Sequence, residues 1–250
     1  MIHHLLLDRM ASRVNAWEAA DDRRAIFLAC YALMTRNMLQ AIADERFADA
    51  AWVYALVHNF AEYYFVALDA YEHDAGAALP EVWRRAHDLT RTASVPPVVH
   101  LLLGVNAHIN CDLVLVLDDM LRGEWAALSH DQRDSRHRDY LLVNTIIGET
   151  IDVVQDTVVE RYSPAMDTID TLFGPLDEWC TARLIRNWRD DVWRQAMDLI
   201  QTQDPQARNA LRRLADARAL ERMHLVVTGG EFGARVFGYS QRLLRRLKLR

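Results

Sequence analysis

At 250 residues and 28.8 kDa the chain is long enough for one large domain with an ample core. Hydrophobic residues make up 51% and charged ones 26%, a globular balance that excludes wholesale disorder. The formal net charge of −6 gives no reason to expect nucleic acid as a partner.

The chain begins MIHHLLLDRM, whose apolar run before Asp8 is too short for a signal peptide; a short helix is expected over 1–18. Further helices are predicted near 20–44, 47–74, 80–91, 97–122, 134–161, 164–173, 175–201 and 205–228. In these segments apolar residues recur at three and four, and no stretch alternates cleanly at two. Prolines punctuate the pattern. Ser163 before Pro164 and Asp204 before Pro205 read as N-cap and first helical position, where the missing N–H costs nothing.

The glycines of TGGEFG suit a helix stop better than a phosphate cradle, so no nucleotide cofactor is expected and 229–250 reads as a looser tail. That tail ends RLLRRLKLR, whose Arg242, Arg245, Arg246, Lys248 and Arg250 could make a weak contact with an anionic surface or simply suit a helix C-terminus. Cys30, Cys111 and Cys180 lie far apart in apolar helical contexts, without paired spacing, as expected of buried thiols in a reducing compartment. No window approaches about 18 uninterrupted apolar residues, so integral membrane association is not expected and a cytoplasmic location is. The expectation is one all-α domain over 1–250, a bundle of about eight helices.

The stretch HLLLGVNAHINCDLVLVLDDML is apolar enough for a central helix yet carries Asn106, His108, Asn110 and Asp112 in its middle. His108 and Asp112, four apart, share a face; Asn106 and Asn110 share nearly the opposite one. A buried amide needs partners, so the asparagines read first as a structural seam, with Asn110 also a candidate substrate contact. A buried carboxylate without cation or donors would neutralise itself, so Asp112 requires a histidinium, an arginine or a metal.

A second such pair, His58 and Glu62, lies on the aromatic helix 47–74, with Asp69 further along. On helix 134–161, Asn144, Gly148, Asp152 and Gln155 fall roughly along one face, beside an acidic edge of Glu149, Asp156 and Glu160 that reads as solvated. Bundle metal sites are built from inward carboxylates and histidines on facing helices. His58, Glu62, His108 and Asp112 are therefore candidate ligands for a divalent Zn, Fe or Mn ion, with Asp152 a further ligand or general base. Asn144, Arg186 and Trp193 are candidate substrate contacts, with Arg186 able to hold an anion or pair with Asp190. The remaining histidines, His3, His4, His73, His87, His130 and His137, read as surface residues.

Three functions fit these residues. The first is a metal-dependent enzyme, a hydrolase or a lyase or cyclase, acting on a small, largely apolar or phosphorylated metabolite. The second is a non-catalytic protein that binds a hydrophobic ligand among satisfied polar residues. The third is a metal-free cyclase or isomerase using His108 with Asp112 as an acid–base dyad. Terpene-cyclase-like chemistry, with DLVLVLDDML and DVVQD holding Mg²⁺, is a further alternative.

The segments FLACYALMT, LLLGVNAHINCDLVLVL and HRDYLLVNTIIGETIDVVQD together resemble an uncharacterised bacterial helical family, a domain of unknown function with an N-A-H-I-N-x-D-L signature. That resemblance implies a fold and no activity. GVNAHINCDLVLVL is also similar to the G-x-x-x-H-x-x-x-D segment of zinc-dependent phospholipase C and P1-type nucleases, which implies zinc ligation by His108 and Asp112 alone. The chain lacks the proline-histidine that usually follows in the nucleases.

Overall fold

Apolar residues at helical spacing produce eight helices and no strand among the described residues of the computed structural model, 2–74, 79–92, 97–154, 162 and 177–247. Side chains are described for 5–74, 79–91, 97–151, 162 and 182–228. The helices are α1 (Ile2–Ala19), α2 (Arg24–Ala43), α3 (Ala50–Glu72), α4 (Glu81–Thr92), α5 (Pro97–Leu121), α6 (His130–Val154), α7 (Asp177–Gln201) and α8 (Pro205–Leu247). The predicted segments 155–161 and 164–173 fall outside the described residues, as does the Ser163–Pro164 cap.

Local capping explains several starts. Asp49 accepts the Trp52 N–H at 2.8 Å to open α3. Ser129 and Gln132 form a reciprocal capping box at α6, the Ser129 N–H donating to Gln132 Oε1 at 2.8 Å and the Gln132 N–H to Ser129 Oγ at 3.2 Å. Asp204 accepts the Ala207 N–H at 2.8 Å, with Pro205 in the first helical position as expected.

Two further caps are long-range. Asp216 of α8 accepts the N–H groups of Glu81 and Val82 at 3.1 and 2.9 Å, fixing α4 to α8. Buried Asp139 of α6 accepts those of Ala48 and Asp49 at 2.9 and 2.8 Å, fixing the turn before α3.

Helix α5 is the axle. Its first half packs into one core with α1, α2, α3 and α4, through Val99, Leu103, Ala107 and Cys111. Its second half packs into another with α6 and α7, through Leu113, Val116, Leu117 and Leu121. Where the two cores meet, residues His108–Asp112 form a π turn, in which the Leu113 N–H bonds back five residues to the His108 carbonyl. Gly104 lets Phe27 of α2 lie against α5; a Cβ there would stand 2.3 Å from the Phe27 ring.

Two findings differ from the sequence expectations. First, α2 and α5 are long and apolar enough to cross a membrane, although no uninterrupted apolar run marks them; both lie mostly enclosed by the bundle. Second, α8 continues through Gly229 and Gly230 to Leu247 rather than stopping before a loose tail. Glycine lowers helix propensity by about 1 kcal/mol per residue without forbidding helical backbone angles.

Candidate functional site

The π turn places His108 and Asp112 as its first and last residues, both buried. The His108 Nδ1 lies 2.9 Å from Asp112 Oδ2. From α4, Trp83 Nε1–H donates to both Asp112 oxygens, at 3.0 and 2.9 Å. A donor shared by both oxygens suits an ionised carboxylate; with Asp112 ionised, the Nδ1 proton belongs to His108 and its Nε2 carries a lone pair.

Burial dominates the electrostatics. It raises the Asp112 carboxyl above its ordinary value, opposed by the hydrogen bonds from His108 and Trp83. It likewise lowers His108, opposed by Asp112, so the imidazole is neutral. Its Nε2 meets no hydrogen-bond partner among the described residues.

The rest of the imidazole is enclosed by aromatic rings. Phe60 of α3 stacks on it with centroids 3.5 Å apart and planes 6° apart. Tyr31 of α2 meets it edge-on at 4.4 Å, with Phe27, Tyr64 and Trp83 beyond at 5.9, 6.0 and 6.2 Å. Phe60 is the half-buried member of this box, and the imidazole itself is fully buried.

The other candidate ligands lie elsewhere. His58 Nδ1 bonds to the Tyr54 carbonyl at 2.9 Å, one turn back in its own helix. Glu62 is exposed and paired with Arg9 of α1 at 2.7 Å. No group of three or more His, Cys, Asp or Glu side chains capable of holding a metal occurs among the described residues. The convergence of His58, Glu62, His108 and Asp112 on one ion is therefore corrected. His58 is bonded within α3, Glu62 is paired with α1, and His108 and Asp112 bind each other. The Asp152 side chain lies outside the described residues.

Asn106 and Asn110 form the seam expected from their four-residue spacing. Asn110 Nδ2 donates to Asn106 Oδ1 at 3.0 Å, and Asn106 Nδ2 donates to the Ala219 carbonyl of α8 at 2.8 Å. Arg222 donates to Asn110 Oδ1 and, at 2.6 Å, to Asp191 of α7. Asn110 is thus taken up in joining α5, α7 and α8.

Asn144, Arg186 and Trp193 do not join His108 either. Arg186 is exposed. Asn144 instead accepts from Arg189 Nε at 2.6 Å. Arg189 is fully buried, donates to the Tyr140 carbonyl at 3.0 Å and lies 4.2 Å over the Tyr140 ring. Trp193 packs with Trp125, His137 and Tyr140. Sequence reasoning passed over Arg189, although the stripe Ile185, Val192, Ala196 and Leu199 runs through its position.

Two further groups were unforeseen. Asp118, fully buried, is held by Arg122 at 3.0 Å, Arg208 at 2.7 Å and Arg212 at 2.8 Å, while Asp119 takes Arg212 at 2.9 Å and Tyr63. The paired aspartates of LDDML therefore face cations supplied by the residue that caps α5, Arg122, and by α8, an arrangement that leaves no anionic surplus for Mg²⁺. His87, expected at the surface, is buried between Trp83 and Tyr71, and burial lowers it to about 3. Of the acidic edge, Glu149 is exposed and paired with Arg46 at 2.7 Å; Asp156 and Glu160 lie outside the described residues.

Neither a curated protein nor a solved structure matches the chain. One family does, over residues 4–229 and across every helix that frames the dyad: the chain belongs to the family of unknown function DUF5995.

Proposed function

We propose that the protein is an enzyme that moves a proton on a small, largely apolar molecule, with the His108–Asp112 dyad as its acid–base group. One observation carries this reading: a buried imidazole has its Nδ1 committed to a carboxylate and its Nε2 unpartnered inside an aromatic box. A general base needs such an arrangement, because the carboxylate fixes the tautomer and stabilises the imidazolium that forms. An unsatisfied buried nitrogen costs roughly 1–3 kcal/mol; His58 and His87 carry one too, and the carboxylate on Nδ1 sets His108 apart from His58, whose Nδ1 is held by a backbone carbonyl.

The dyad is favoured over a metal centre because no group of three or more His, Cys, Asp or Glu side chains that could hold an ion occurs here among the described residues. The π turn adds support, since such turns recur at functional sites. Phe60, half-buried and flat on the imidazole, is the ring whose rotation would admit a ligand.

5-Nitrobenzisoxazole tests the dyad directly. A base takes its C3 proton, the C–H pair completes a nitrile, and the N–O bond breaks to release a coloured phenolate. The wild-type protein should accelerate this reaction, and His108→Gln should lose about a hundredfold or more of the acceleration. A folded wild-type protein without acceleration overturns the reading.

A further inference from the structure

Two more buried polar atoms without a hydrogen-bond partner among the described residues lie on α2, the helix that brings Tyr31 against His108. Tyr31 and Thr35 stand four apart on one face of α2, both buried, and neither hydroxyl completes a well-formed hydrogen bond among the described residues. The Tyr31 ring meets the imidazole edge-on at 4.4 Å. Its hydroxyl lies within the field of Asp112 and beside the Thr35 hydroxyl, and burial pushes it well above the ordinary phenol range. It therefore keeps its proton and is a donor. Trp52, His58 and His87 also carry unpartnered buried nitrogens, but each of these is single. His108, Tyr31 and Thr35 instead follow one another, the Tyr31 ring against the imidazole and its hydroxyl beside that of Thr35, and together they carry one acceptor, Nε2, and two hydroxyl donors.

We infer that Tyr31, assisted by Thr35, donates hydrogen bonds to the oxygen of the bound molecule, and that this molecule is an enolisable carbonyl compound. The inference rests on the dyad reading above. A carbonyl oxygen only accepts, which suits two hydroxyls, and the carbon beside it carries the weakly acidic hydrogen that Nε2 requires.

The step balances with these groups alone. Nε2 takes the α-proton, the C–H pair becomes the C=C bond, and the carbonyl π pair moves to the oxygen held by Tyr31 and Thr35. Return of the proton to the same or a conjugated carbon completes an exchange or an isomerisation. An alcohol could satisfy all three atoms, but its conversion would need a hydride acceptor or a leaving group. A buried water could satisfy them too, and would leave Tyr31 without a chemical role.

The test compares deuterium incorporation into 2-tetralone from D₂O with the 5-nitrobenzisoxazole reaction, in wild type, Tyr31→Phe and Thr35→Val. Tyr31→Phe retains the ring, so folding is preserved, and thermal melting checks this. The wild type should exchange the tetralone α-hydrogens. Tyr31→Phe should lower that exchange at least about tenfold more than it lowers the benzisoxazole reaction, and Thr35→Val should act in the same direction by less.

If the wild type cleaves the benzisoxazole but does not exchange 2-tetralone, the substrate class is wrong while the dyad stands. If Tyr31→Phe changes both reactions alike, or neither, the hydroxyl holds water or nothing, and the inference is overturned with the dyad intact. If the wild type performs neither reaction, the dyad reading falls and takes this one with it.

Discussion

Trp83 and Asp112 are joined across the core by one indole N–H that reaches both carboxylate oxygens, tying α4 to the π turn of α5. In Asp112→Asn the amide oxygen can still accept from Trp83, while its NH₂ faces His108 and moves the ring proton to Nε2. The burial cost of the charge disappears at the same time. Thermal denaturation at pH 7 should show a melting temperature equal to or above that of wild type, with proton-transfer activity lost. Asp112→Ala instead strands Trp83 and His108, and should cost roughly 3–5 kcal/mol. A destabilised Asp112→Asn protein with full activity would reverse the assignment.

Gly104→Ala should destabilise by roughly 1–3 kcal/mol, because its methyl meets the Phe27 ring with no room to spare. Phe27 also borders His108, so the same substitution should disturb the aromatic box. Denaturant melts of Gly104→Ala, with and without Phe27→Leu, check this: the smaller side chain should recover part of the loss.

Asp118→Ala should be among the most destabilising charge removals, since it strips the shared counter-ion from three arginines. The arginines are each about a quarter exposed, so solvent limits the loss to roughly 2–3 kcal/mol rather than the full cost of breaking a buried pair. Asp119→Asn, at the wetter edge of the same cluster, should cost less than about 1 kcal/mol. Equal losses in urea melts would contradict the burial difference between the two carboxylates.

His87 makes the fold acid-sensitive in a defined window. Its folded value of about 3 lies below the unfolded value of about 6.5. Between these the unfolded chain binds the extra proton, so stability is whole above the unfolded value and is lost as pH falls toward about 3. The loss is on the order of a few kcal/mol. Arg24, Asp22 and Arg91 supply the surrounding charge. His87→Phe should flatten the fall in melting temperature between pH 7 and pH 4. It should not abolish it, because His108 is lowered in the same sense.

Much of this architecture was legible because its signals are local. Asp204–Pro205 opens α8, Pro97 opens α5, and the three–four spacing of apolar residues marks the described helices. The His108–Asp112 contact and the Asn106–Asn110 seam were readable from four-residue spacing on one helix. What was not legible depends on distant chain. Trp83 reaches Asp112 across 29 positions, and Arg208 and Arg212 reach Asp118 across 90 and 94. Spacing could suggest that two pairs shared a helical pattern, but not which way α3 and α5 face. Glu62 turns to Arg9 for that reason. The Gly229–Gly230 pair read as a stop because propensity is a weak prior that a continuing helix can override.

The π turn has a consequence for how this chain tolerates change. A π turn fits one extra residue into the rotation that α-helix completes with one fewer, so removing one residue from within His108–Asp112 would let α5 close into regular α-helix with its distal half in phase. Leu113, Val116, Leu117 and Leu121 would stay on the second core, and Asp118 would keep its arginines. The spacing of His108 and Asp112 would fall from four residues to three. A single-codon deletion inside the turn would therefore disturb the dyad while sparing the packing of the distal helix.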